Sequence, residues 1–117
     1  MPSWQMDIAA MQARAVATRK QFAEFEVANY GAEWSTNDLL MGLMTDVGDL
    51  AAAVQRAEGR RPAGPTSSAD ELGHEISDCL WVLLVLADKY DVDVANAFDT
   101  TMDQIALWIG EHSADGG

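Results

Sequence analysis

Asp46 and Asp49 stand one helical turn apart inside the apolar stretch MTDVGDLAAAV, residues 44–54. Aspartate is a poor helix-interior residue, because its short side chain competes for nearby backbone groups. A second acidic pair at the same spacing, Glu75 and Asp78, lies in HEISD, immediately before the apolar run CLWVLLVLA at 79–87. At about 100° per helical residue, Leu43, Val47, Leu50 and Val54 form one stripe. Gly42, Asp46, Asp49 and Ala53 form the strip beside it, and its small members leave room between helices. In the second segment Leu72, Ile76, Leu80, Leu83 and Ala87 make the stripe, with Glu71, Glu75, Asp78 and Val82 along its edge. Two such segments packed antiparallel would bring four carboxylates together. Left alone, these would repel and raise one another's pKa values. A divalent cation that prefers oxygen removes that cost, and Mg²⁺ commonly binds through a few carboxylates, waters and substrate phosphates. The plain alternative is that each pair is simply a solvated helix face.

Positioning these residues falls to helices. Prolines occur only at 2, 62 and 65, and no stretch sustains the alternation of a strand. Ser3 can cap a first helix to about Ala28, with Met6, Ile8, Met11, Ala15, Phe22 and Phe25 as apolar positions. NYGAEWST breaks the pattern, and Ser35 or Thr36 can cap a second helix to about Glu58. GRRPAGPTSSA, residues 59–69, is the main loop. A third helix is expected from about Asp70 to Tyr90 and a fourth from about Val94 to Glu111, capped by Asp91 or Asp93 after a very short turn. The expectation is an all-α bundle of about four helices: one domain over residues 1–112, then a frayed tail at 113–117.

Composition narrows the function. Nineteen acidic residues against seven basic ones give a net charge of −12, which argues against binding a nucleic acid polymer. A single nucleotide remains compatible, because bound cations reverse the field around clustered carboxylates. The longest apolar run has nine residues, well short of the ~20 a membrane span needs. The N-terminal MPSWQMD has no basic segment followed by an apolar one, so no signal peptide is expected. Cys79 is the lone cysteine, which fits a reducing, cytoplasmic setting.

TDVGDLAAAVQ, followed after a loop by HEISDCLWVLLVLADKYDVDVANAF, resembles the MazG-like all-α nucleoside triphosphate pyrophosphohydrolase superfamily. That superfamily pairs ExxE on one helix with ExxD on the next, continuing into an apolar run and a turn containing Val-Asp. Here the pairs read DxxD and ExxD, with VDV at 92–94, and the resemblance covers about residues 35–104. It implies Mg²⁺-dependent cleavage, with Mn²⁺ as a substitute, between the α and β phosphates of a nucleoside triphosphate. Asp46, Asp49, Glu75 and Asp78 would be the catalytic, metal-holding residues. Two departures stand out. Aspartates replace glutamates at 46 and 49, and the Lys, Asn and Arg that many members carry on the last helix are replaced near Thr101, Ile105 and Trp108. Phosphate contacts must then come from Arg14, Arg19 or Lys20 on the first helix, from Arg56, Arg60 or Arg61 near the loop, or from Lys89.

Other residues carry weaker signals. Trp34 can stack on a base, or can simply pack at the break. GRRPAG reads as a solvated turn as readily as a phosphate clamp. HEISD resembles a zinc HExxH motif but ends in aspartate, with no third ligand. His74 lies nearly opposite the apolar stripe, pointing to solvent or a subunit contact. Trp81, Val85 and Tyr90 suggest a second buried face filled by self-association into a dimer or tetramer through the third and fourth helices. Cys79 reads as a small core hydrophobe. The leading expectation is house-cleaning of non-standard or surplus nucleotides, acting on a nucleoside triphosphate. Its rival is a catalytically weak bundle that binds a nucleotide or a protein partner.

Overall fold

The computed structural model describes residues 6–113. They form four helices: α1 (Ile8–Tyr30), α2 (Thr36–Ala57), α3 (Ser68–Lys89) and α4 (Val94–Glu111). No strand occurs among the described residues. Each start has a local chemical cause. Asp7 caps α1 by accepting from the Ala10 amide, and Ser3, expected in that role, lies outside the described residues. Ser35 and Asp38 form a reciprocal capping box on α2. Ser67 caps α3, which starts at Ser68, two residues before the expected start, and Asp93 caps α4. α1 ends where Gly31 takes a left-handed conformation, with φ at 84°. Only Ser113 of the expected tail is described.

α2 and α3 form an antiparallel hairpin whose register is read from three levels. Arg56 meets Glu71 near the loop, Asp46 faces Asp78 in the middle, and Thr36 meets Lys89 at the far end. α1 crosses α3, with Gln12 donating to the Leu84 carbonyl at 3.3 Å and Trp81 Nε1 donating to the Ala15 carbonyl at 2.9 Å.

The buried faces differ from the sequence expectation. On α2, Leu39 and Ala53 are buried and Leu43, Asp46 and Leu50 half-buried, while Val47 and Val54 are exposed. On α3, Cys79, Val82 and Leu84 are buried, while Ile76 and Leu83 stay about half exposed. Both helices are rotated toward their acidic strips, so Asp46, Glu75 and Asp78 are half-buried while Asp49 stays exposed, and part of each apolar stripe faces out. Trp81 does not await a partner subunit: α1 covers it through the Ala15 bond and the Phe22 ring, 5.7 Å away between centroids. Tyr90 remains exposed.

α4 stands apart. It has no buried residue, and Phe98, Ile105, Leu107, Trp108 and Ile109 are all largely exposed. The radius of gyration is 18.1 Å, against about 13 Å for a compact domain of ~100 residues.

Candidate functional site

The antiparallel register puts both acidic pairs at one level of the α2–α3 hairpin. The buried Cys79 thiol lies within electrostatic reach of all four. It is pushed above its ordinary value by burial first, then by Asp46, Asp78, Glu75 and Asp49. Asp46 is itself raised, by burial and then by the charges of Asp78 and Asp49. Glu75 Oε2 is sealed from solvent with no hydrogen-bond partner, alone in this among side-chain polar atoms of the described residues. A buried acceptor left unpaired is costly, so this oxygen marks where a cation or donor would fit.

The tightest cluster holds two of the four expected acids and one neighbouring histidine. Ligand atoms of His74, Glu75 and Asp78 lie within 4.8 Å of one another. Asp46 and Asp49 face this group from α2 without joining it at that spacing. His74 is solvent-facing, as its position on the helix suggests, but its Nε2 also lies 3.2 Å from Asp78 Oδ2.

A cavity of about 350 Å³ opens beside the acids, lined among others by Phe22, Glu26, Trp34, Gly42, Asp46 and Asp78. The room left by Gly42 is occupied: a Cβ added there would sit 3.3 Å from Trp34 Cζ3. Ala53, the other small residue of the strip, is fully buried. Trp34 is fixed through its backbone, its amide donating to Glu26 Oε1 at 2.8 Å and its carbonyl accepting from Arg19 at 3.1 Å.

The expected phosphate-binding bases are distributed unevenly. Arg19 spends its guanidinium on Glu26 and Trp34. Arg56 is held by Glu71 across the hairpin, and Lys89 by Thr36. Lys20, Arg60 and Arg61 are exposed, and Arg14 lines a larger groove between α1 and α3 that also reaches Asp78. Sequence reasoning passed over Glu26, which is 4% exposed. Its signal was the spacing from Arg19: seven residues, two turns, one helix face.

No family model matches the chain, and no solved structure matches it. Over 64 residues, 55% of this chain, it is 31% identical to the uncharacterized protein YpjD of Bacillus subtilis (strain 168). The matched stretch spans 58% of that relative's length. No helix of the described residues is long and apolar enough to cross a membrane.

Proposed function

We propose that this protein is a MazG-like nucleotide pyrophosphohydrolase that converts a (deoxy)nucleoside triphosphate and water to a monophosphate and pyrophosphate. Its role in this reading is to remove non-standard or surplus nucleotides in the cytoplasm. The observation that carries the reading is the sealed, unpartnered Glu75 oxygen among the half-buried Asp46 and Asp78 and the exposed Asp49, next to a cavity walled by Trp34 and Phe22.

Asp46, Asp49, Glu75 and Asp78 fit a divalent ion such as Mg²⁺ or Mn²⁺, being hard oxygen donors whose mutual repulsion His74 and Arg56 offset only in part. Such an ion supplies charge stabilisation to a phosphate and a more acidic bound water. The chain's own residues do the rest. Trp34 offers an indole face to a base, and Gly42 lets that indole lie against α2. Asp46, whose carboxyl is held above its ordinary range, is suited to take a proton from the attacking water. The water oxygen then bonds to the α-phosphorus as the bond to the α–β bridging oxygen breaks, and pyrophosphate leaves. The exposed Arg14, Lys20, Arg60 and Arg61 are bases free to meet phosphate. Assembly into a dimer or tetramer would cover the apolar surface of α4.

The test is hydrolysis of a nucleoside triphosphate panel with Mg²⁺ or Mn²⁺, measuring pyrophosphate and orthophosphate separately. Pyrophosphate release is expected. A millimolar-metal rise in Tm should accompany it and be lost in Asp49→Asn and Glu75→Gln. Orthophosphate release would overturn the bond assignment. The engagement of Arg19 and Arg56 by carboxylates, with no base on α4, favours a second reading, a catalytically weak module that binds a nucleotide or a protein partner. Nucleotide binding without hydrolysis would establish it.

A further inference from the structure

The cavity beside Trp34 contains a charged group that the phosphate chemistry does not use. Glu26 is 4% exposed, and its Oε1 accepts three hydrogen bonds. Two come from Arg19 at 3.1 Å and one from the Trp34 amide at 2.8 Å. Oε2 accepts none from the described residues. Unlike Glu75 Oε2, it is not sealed off, and Glu26 lines the cavity. With Oε1 committed to Arg19 and Trp34, Oε2 is the oxygen Glu26 has left for a group seated between Trp34, Phe22 and Trp81. Asp46 and Asp78 line the same cavity, so a ring stacked there would have its polar tail at the acidic quartet.

We propose that Glu26 is the base-reading residue of this site, selecting a nucleobase with an exocyclic amino group (cytosine or adenine) over its oxo counterpart (uracil or hypoxanthine). This rests on the nucleotide reading given above. A carboxylate is acceptor-only. An amino group gives Oε2 the donor it lacks, whereas an oxo oxygen sets two acceptors against each other and leaves both unpaired. The oxo forms do carry a ring N–H, but an oxo oxygen flanks it, and with Oε1 already committed the carboxylate cannot turn away from that oxygen.

The arrangement makes Glu26→Gln an inverting substitution. Three N–H donors face the Oε1 position, so the amide must turn its carbonyl oxygen toward them and its NH₂ toward the cavity. An acceptor becomes a donor in the same place. Calorimetry in the presence of Mg²⁺ with two matched pairs, cytidine and uridine monophosphate, then adenosine and inosine monophosphate, tests this. The wild type should bind each amino member about tenfold to a hundredfold more tightly, and Glu26→Gln should reverse the order. Equal affinities in the wild type, no binding of any of the four, or a uniform loss in Glu26→Gln without reversal would each overturn the proposal. The wild-type ratio decides even if the variant does not fold. Hydrolysis of cytidine and uridine triphosphates at equal rates would overturn base reading while leaving the phosphate chemistry intact. Amino-selective binding without hydrolysis of any triphosphate would support base reading and overturn the phosphate chemistry.

Discussion

Burial lifts the Asp46 carboxyl above its ordinary value of 3.8, and the charges of Asp78 and Asp49 lift it further. A carboxyl with a raised pKa in the fold holds more protons folded than unfolded just above that ordinary value. Metal-free stability attributable to Asp46 therefore falls as pH rises from about 3.8 through the raised value, and stays lower above it. Asp38 and Glu71 act in the opposite sense. The Ser35 amide lowers Asp38 and the Arg56 hydrogen bond lowers Glu71, so their contributions are present above the ordinary carboxylate range and lost on acidification. Comparing wild type with Asp46→Asn separates the two. In EDTA, the variant should be the more stable protein at pH 7 and should lose that advantage toward pH 3–4, as measured by Tm across the range. A constant difference at every pH would remove the electrostatic account of Asp46. The acidic residues were legible in the sequence because spacing alone places i and i+3 on one face. Glu26 was legible only through its spacing from Arg19; its contact with the Trp34 amide, which a break in the chain returns to it, was not.

At the scale of elements, caps and breakers in the sequence located α2, α3 and α4 to within about two residues, because capping is decided by neighbours in the chain. Which face each helix buries was not legible. Val47, Val54, Ile76 and Leu83 outweigh the carboxylates in any count of apolar positions, yet they lie half exposed. The missing information was where α1 lies. It covers Trp81 and sends Trp34 to Gly42, on the side of the hairpin where Asp46 and Asp78 are half-buried. Gly42→Ala tests that arrangement. Alanine favours the helix by about 0.5–1 kcal/mol, but its methyl would press on Trp34 at 3.3 Å. The expected result is near-unchanged Tm with nucleotide binding weakened up to about tenfold, within what one stacking contact supplies. Unchanged calorimetric affinity would remove Trp34 from the binding surface.

The whole molecule measures 60 × 41 × 35 Å, and α4 meets α1 rather than packing on the hairpin. A helix with no buried residue gains little from tertiary packing, and packing is what stabilises most helices of this length in water. Phe98, Ile105, Trp108 and Ile109, with Val47, Val54, Ile76 and Leu83 on the hairpin, offer far more apolar surface than scattered side chains normally do. A second copy of the chain supplies matching surface by symmetry. Light scattering at micromolar concentration should find a dimer or tetramer, and Ile105→Glu combined with Trp108→Glu should at least halve the mass. A monodisperse wild-type monomer would overturn this reading.

The links at the two ends of the hairpin, Arg56 with Glu71 and Lys89 with Thr36, have a consequence for the acids between them. Packed helices can trade one arrangement for another by sliding a full turn, about 5.4 Å, while still meshing ridge with groove. Such a slide would take Asp46 away from Asp78, and it would part both end links at once. The links thus act as a vernier: neither touches the quartet, yet together they set which carboxylate stands opposite which.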